Sequence, residues 1–264
     1  VTISSTTYIG STPELTVVGN YVYTTSDAAG GMFKIIDVSN PTNPIVKSTN
    51  SFGGLGSQFD PVVSGKYAYV STVSSDLLVI DISNPSSPVV TSVLVGADAN
   101  SVYVFGKYAY ITSTNGIFKV VDVSNPKSPT IVGTYTTPEA QIRVYVSGRY
   151  AYIASSNSKI TIIDVANPAL PQMVSQMTLN GGTPYEMIVS GRYAFTATPV
   201  NLVEITDISS STAPKIVGSI PTVMNAYTLA VSGRYLYVGG YSQNSMQIFD
   251  IGGIETTSAI IHSL

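Results

Sequence analysis

Residues 120–129 read Val-Val-Asp-Val-Ser-Asn-Pro-Lys-Ser-Pro. A β-branched run ends at an aspartate, and Ser-Asn-Pro follows where the chain must reverse. Close copies stand at Ile36-Asp37-Val38-Ser39-Asn40-Pro41, Ile80-Asp81-Ile82-Ser83-Asn84-Pro85 and Ile163-Asp164-Val165-Ala166-Asn167-Pro168. Worn versions stand at Thr206-Asp207-Ile208-Ser209 and Phe249-Asp250-Ile251-Gly252. The six aspartates, Asp37, Asp81, Asp122, Asp164, Asp207 and Asp250, are spaced by 44, 41, 42, 43 and 43 residues. A second marker travels with them: Gly19, Gly65, Gly106, Gly148, Gly191 and Gly233, each followed two and four residues later by an aromatic ring. A period of about 40–45 residues is what a four-stranded propeller blade requires. A helical repeat would need apolar residues at i, i+3, i+4 and i+7. Here the segments are short, β-branched and aromatic, with Gly, Pro, Asn and Ser between them. The expected fold is all-β: a six-bladed β-propeller of four-stranded antiparallel blades.

The fourth unit shows the wiring. Strands are expected at Arg143–Ser147, Tyr150–Ala154, Ile160–Val165 and Gln172–Leu179, with turns at Gly148-Arg149 and Asn167-Pro168. Each unit is a meander whose apolar face is covered only by its neighbour. At the ends the pattern shifts. Val1 to Gly10 precedes the first strand with nearly the spacing that Val89 to Gly96 keeps from the next one, so it reads as a displaced fourth strand. The last unit breaks the Asn-Pro turn with Gly252-Gly253. The N-terminal strand is therefore expected to close the last blade, satisfying its open backbone edge. The rival for that slot is Glu255 to Leu264. On this division residues 1–253 form one propeller, and 254–264 are an exit segment or the alternative closing strand.

The aspartates read as architecture. A carboxylate at the end of the third strand accepts N–H groups of the following turn, where proline fixes φ. Eleven of the 18 tyrosines, with Phe195 as a twelfth member, fill the two marker columns on the second strand. Their alternation points both rings to one face, for packing against the next blade. The residue after each marker glycine is Asn20, Lys66, Lys107, Arg149, Arg192 or Arg234, on the same rim as the aspartates. Local pairing is expected there.

The segments Met32-Phe33-Lys34-Ile35-Ile36-Asp37, Leu77-Leu78-Val79-Ile80-Asp81 and Lys159-Ile160-Thr161-Ile162-Ile163-Asp164, each running into the turn, resemble the LVIVD repeat family. That family consists of β-propeller-like repeats of bacterial and archaeal proteins, often predicted to be exported. The resemblance covers residues 11–253, with four strong copies and two degenerate ones. It implies the propeller fold and transfers no catalytic residue.

Composition narrows the function classes. Charged residues are 10% of the 264 and the net charge is -3, so there is no basic stripe for nucleic acid. Solubility must come from uncharged polar groups, and Ser with Thr supply roughly a quarter of the chain. Cysteine is absent, which removes disulfides, thiolate metal sites and Cys nucleophiles. No apolar run approaches the roughly 18–20 residues of a membrane span. The start at Val1 reads as a processed product or a domain cut from something longer. His262 is the only histidine, so no Ser–His relay can be built from the repeats. Sialidase chemistry would need an arginine cluster and Asp-box turns, which the four arginines and the missing tryptophan do not supply.

The rim opposite the aspartates holds Glu14, Asp27, Asp60, Asp76, Asp98, Glu139 and Glu186, with Arg143 as its clearest cation. Alignment on the marker glycine places Glu14, Asp60, Ser101, Arg143, Glu186 and Thr228 at one position, where the first strand enters beside the axis. The expected ligand site is Glu14, Asp60, Arg143 and Glu186, with Tyr145, Tyr185 and Tyr227 from outside the repeat columns. No catalytic residue is assigned and no cofactor is expected. A calcium ion would use the same oxygens, but no Asp-x-Asp-x-Asp-Gly loop is present. The leading expectation is a non-catalytic binding or adhesion propeller of a larger surface protein, extracellular or on the cell surface. Its partner would be a protein or glycan, not nucleic acid, and an oligomer would form through a stalk outside this sequence. The alternatives are a receptor-binding head of a phage tail fibre or similar appendage, and a glycosidase-like enzyme or lectin using the acidic mouth.

Overall fold

In a computed structural model of the chain the described residues are 14–26, 32–52, 58–72, 76–240 and 246–253, without the side chains of Glu14, Ser26, Gln58, Phe59 and Asp60. The fold is an all-β, six-bladed β-propeller, and no helix occurs among the described residues. Blade 1 is β1 (Glu14–Val18), β2 (Tyr21–Ser26), β3 (Met32–Asp37) and β4 (Ile45–Asn50). Blade 2 is β5 (Gln58–Ser64), β6 (Tyr67–Thr72), β7 (Leu77–Asp81) and β8 (Val89–Leu94). Blade 3 is β9 (Ser101–Phe105), β10 (Tyr108–Thr112), β11 (Ile117–Asp122) and β12 (Thr130–Thr136). Blade 4 is β13 (Gln141–Ser147), β14 (Tyr150–Ser155), β15 (Lys159–Asp164) and β16 (Gln172–Thr178), within two residues of the expected bounds. Blade 5 is β17 (Glu186–Ser190), β18 (Tyr193–Thr198), β19 (Leu202–Asp207) and β20 (Lys215–Pro221). Blade 6 shows three strands among the described residues: β21 (Ala226–Ser232), β22 (Tyr235–Gly240) and β23 (Met246–Asp250). Both candidates for its fourth strand, Val1 to Gly10 and Glu255 to Leu264, lie outside the described residues.

The chain divides into two compact units, residues 1–113 with 119–132 and residues 114–118 with 133–264. In the first unit, Tyr23, Phe33 and Ile35 of blade 1 pack on Ala68, Val70, Leu78 and Ile80 of blade 2. Tyr69, Leu77 and Val79 then pack on Val102, Ala109, Ile111 and Val121 of blade 3. In the second unit, Tyr152, Ile160 and Ile162 of blade 4 meet Met187, Val189 and Ala194 of blade 5. Phe195, Val203 and Ile205 meet Leu236, Val238 and Phe249 of blade 6. The third strands of blades 1 to 5 are buried on both faces, which is why they read as near-continuous apolar runs.

The two sequence markers form one structural element. The first two strands of each blade join through a two-residue turn, as in the pairing of Ser147 with Tyr150. The marker glycine is the first central residue and has a φ of 58° to 62° in all six blades. That is the region glycine enters without steric cost, and it suits a type II′ hairpin. The next residue's carbonyl then accepts the N–H one position past the blade's aspartate, as in Val123 to Lys107 and Val165 to Arg149, both at 2.9 Å. All six blades repeat this bond. The aspartate accepts the N–H two positions on: Ser39, Ser83, Ser124, Ala166, Ser209 and Gly252 donate at 2.8 to 3.0 Å. The expected turn-holding role holds in every blade.

Cations complete the element. Arg149 pairs with Asp164, Arg192 with Asp207 and Arg234 with Asp250, while Lys107 approaches Asp122 at 4.0 Å. Each arginine, and Lys66 and Lys107, also lies 5.2 to 5.8 Å from the centre of the tyrosine ring that follows it. In blades 2 to 6 the first marker ring is thus half-buried beneath a cation, and in blades 1 to 5 the second is the core ring.

A latch between blades escaped the sequence reading. The fourth residue of each of the five described outer strands is small: Ser48, Ser92, Gly133, Ser175 and Gly218. Ser92 Oγ donates to the Pro126 carbonyl of the next blade's turn, and Ser175 Oγ to the equivalent Ser211 carbonyl, both at 2.6 Å. At Gly133 the approach is closer still, and a Cβ there would overlap the Pro168 carbonyl oxygen.

Candidate functional site

At the loop end of blades 4 to 6 the structure assembles four of the seven expected site residues into a row. Arg143 lies on β13 and Glu186 opens β17, at the same position of successive first strands. Arg143 Nε donates to Glu186 Oε2 at 3.3 Å, with side-chain exposures of 18% and 21%. Glu186 Oε1 also accepts the Met187 N–H at 2.9 Å, so the carboxylate is oriented from two sides. Tyr185, just before β17, meets Tyr227 of β21 with ring centres 5.1 Å apart and planes at 47°. Tyr227 sits at a β-bulge between Ala226 and Thr228, where the extra residue re-aims its side chain. It is 38% exposed, beside exposed Asn225 and Thr228.

The remaining site residues divide. Tyr145, two residues beyond Arg143, packs against the core between blades 4 and 5. The side chains of Glu14 and Asp60, and all of Asp27, lie outside the described residues. Two rim acids are not solvated charges. Asp76 is buried and accepts the Gly96 N–H at 2.9 Å. Glu139 is buried 3.6 Å from Lys159 Nζ, with Gln176 beside both. Asp98 accepts the Ser113 hydroxyl. Their surplus on this rim reflects loops held by buried acceptors.

A further polar column was missed. Three residues before each aspartate, inside the apolar third strand, stand Lys34, Leu78, Lys119, Thr161, Glu204 and Gln247. Lys119 Nζ donates to the Ala97 carbonyl at 2.7 Å, and burial pushes its pKa down. Glu204, 2% exposed, accepts the Asn180 N–H at 2.8 Å. Burial raises its pKa, opposed by the amides of Asn180 and Gly181. Gln247 Oε1 accepts the Val223 N–H at 3.0 Å. Each of these three side chains ties down the loop that enters its own blade. The signal in the sequence was a polar residue between apolar neighbours in a third strand.

Among the described residues no group of three or more His, Asp or Glu could hold a metal ion. Nor do they include a helix long and apolar enough to cross a membrane.

The LVIVD repeat model matches residues 9–50, 56–94, 96–137, 141–178, 181–222 and 225–258, one match for each blade. No curated protein sequence matches the chain. Among solved structures it is similar to a Bacteroides fragilis protein provisionally named a 6-phosphogluconolactonase, with a TM-score of 0.79 and 13% identity over 94% of this chain and 81% of that one. A Bacteroides uniformis protein with the same provisional name gives 0.80 and 14%, over 93% and 81%. A protein of unknown function from Desulfotomaculum acetoxidans gives 0.77 and 14%, over 95% and 88%. These likenesses establish the fold alone. With six matched repeats on six blades, the chain belongs to the LVIVD repeat family.

Proposed function

We propose that this propeller is a non-catalytic binding module of a larger protein at the cell surface, and that it engages a protein or glycan through the loop ends of blades 4 to 6. The observation that carries the reading is the row of Arg143, Glu186, Tyr185 and Tyr227, contributed by three successive blades. Tyr and Arg dominate recognition sites because they combine apolar area with directed hydrogen bonds at little entropic cost. The Arg143–Glu186 pair is already oriented, so little side-chain freedom remains to be lost on binding. Its carboxylate is engaged by a guanidinium and an amide, which suits positioning better than proton transfer. Low charge and abundant Ser and Thr accord with the extracellular assignment.

The test compares the parent chain with Tyr227→Ala and Arg143→Ala on immobilised glycans and surface proteins. Each variant should bind at least tenfold more weakly with its melting temperature within a few degrees of the parent. Undiminished binding by both variants would refute the site. Turnover of glycosides or 6-phosphogluconolactone by the parent would refute the non-catalytic reading.

A further inference from the structure

Glu204 places a carboxylate where a neutral side chain is enough. In the polar column of the third strands, Lys34, Leu78, Lys119, Thr161, Glu204 and Gln247, it is the one acid. In blade 6 Gln247 Oε1 holds the entering loop by accepting the Val223 N–H at 3.0 Å, and no charge enters the blade. Glu204 performs the same task in blade 5 while 2% exposed. Its two oxygens accept the Asn180 N–H at 2.8 and 3.1 Å, and the Gly181 N–H also reaches the carboxylate. Burying a carboxylate carries a desolvation cost that Gln247 avoids. A second observation stands beside it. Thr196 of β18 is directly opposite Glu204, so the two side chains share one face of the sheet. Thr196 Oγ1 is buried and has no hydrogen-bond partner among the described residues. Such orphaned hydroxyls are uncommon, and this one lies where a protonated Glu204 can turn its O–H.

We infer that Glu204 is an acid-sensitive latch: on taking up a proton it donates to Thr196 Oγ1, weakens its hold on loop 180–184, and loosens the seat of Tyr185. The ionised group is an acceptor at both oxygens, whereas the acid leaves the two loop amides with one. The loop is bounded by two backbone bonds that do not titrate. The Leu179 N–H donates to the Ser158 carbonyl at 2.7 Å, and the Tyr185 N–H to the Ala197 carbonyl at 3.0 Å. Between them Gly181-Gly182 gives the segment freedom to rearrange once the carboxylate lets go. Charged groups on the elements around Glu204 are engaged elsewhere. Lys159 of β15 meets Glu139 and Gln176, and Glu186 of β17 meets Arg143. Lys215 of β20 stands opposite Asp207 at the turn end of the sheet, while Ser219 is the residue opposite Glu204. Burial is the largest influence on the acidity of Glu204 and favours the protonated form. That the latch regulates binding rests on the row proposed above; the latch itself does not.

The test uses the full chain without any ligand, followed from pH 7 to pH 4 by amide hydrogen exchange and by the NMR signals of the tyrosine rings. With the intrinsic pH dependence of exchange divided out, protection of the Asn180 and Gly181 amides should fall at least tenfold. The ring signals of Tyr185 should shift over the same pH range. Val223, held by Gln247, should keep its protection throughout. Glu204→Gln copies blade 6, so it should fold and show no transition. Thr196→Val removes the acceptor of the acid proton and should move the transition to lower pH. Constant protection in the parent, a parallel loss at Val223, a transition that survives Glu204→Gln, or one that Thr196→Val leaves in place would overturn the inference. No ligand enters these measurements, so their failure is distinct from a failure of the binding row, which Tyr227→Ala and Arg143→Ala test separately.

Discussion

Gly133 and Gly218 hold the same place, the fourth residue of an outer strand, and offer a controlled measurement of the latch between blades. Replacing glycine by alanine in a strand should by itself gain about 0.5–1 kcal/mol, because the unfolded chain loses freedom. At 218 that gain should survive, since among the described residues a new Cβ meets only Ile205 Cδ1 at 3.9 Å. At 133 the Cβ would overlap the Pro168 carbonyl oxygen and lie 3.0 Å from Pro171 Cδ and 3.1 Å from the Pro168 carbonyl carbon. The obstacle is backbone, held by the Leu170 to Asn167 turn bond at 3.0 Å, so it yields poorly. Overpacking of this kind costs about 1–3 kcal/mol, and rigid backbone favours the upper end. Gly133→Ala should therefore lose about 2 kcal/mol net while Gly218→Ala gains about 0.5. The gap corresponds to roughly 5–10 °C in melting temperature for a chain of this size. Urea unfolding followed by far-UV circular dichroism measures it, with unchanged m-values as the control. Equal effects of the two substitutions would show that the turn of one blade does not bear on the outer strand of the previous one.

Two pH experiments probe the buried and paired acids. Asp207 is held down to about 2, chiefly by the Arg192 side chain and then by Ser209. Its stabilising contribution is complete above the unfolded value near 3.8 and is lost as pH falls through about 2. Asp207→Asn should therefore melt lower than the parent at pH 7, with the gap closing between pH 4 and 2; a gap of constant size over that window would deny the charge a role. Glu204 has the opposite sign, because burial raises its pKa above 4.5. The parent carries a penalty above that raised value which fades as pH falls toward 4.5. Glu204→Gln, which copies the acceptor that blade 6 uses at Gln247, should match or exceed the parent's melting temperature at pH 7 and lose any advantage near pH 4.5. A large loss at pH 7 would mean that the loop at Asn180 needs the charge itself.

The blade count and strand positions were legible because six copies of Asp and Gly-x-Tyr recur with one period, and each copy makes the same hydrogen bonds. The polar column on the third strand was not legible for the converse reason. Lys119 reaches a carbonyl, while Glu204 and Gln247 reach amides, and Leu78 at the same place brings no polar group at all. A position whose side chain must match one local loop has no common residue type, so no repeat pattern marks it. The small fourth residue of the outer strand was hidden differently. Serine and glycine share only their size, and nothing in a single blade requires it, because the constraint comes from the next blade's turn.

The candidate site sits between these cases. Alignment on the marker glycine put Arg143 and Glu186 at one position, and their ion pair follows from that, because equal positions on successive first strands lie side by side. The same alignment could not separate acids that face solvent from acids that hold loops, so Asp76 and Glu139 counted toward a mouth charge that burial removes from the surface. Tyr185 and Tyr227 fall outside the repeat columns, yet they meet because the bulge at Tyr227 shifts one strand by a residue. An interaction that every blade makes alike holds the blades together and distinguishes none of them. Blades 4 to 6 are distinguished by what they do not share: the ion pair, the tyrosine pair, Phe195 in a tyrosine column, and two glycines in place of the usual turn. Substitutions that restore the repeat at those positions should leave the fold intact and remove what is particular to this chain.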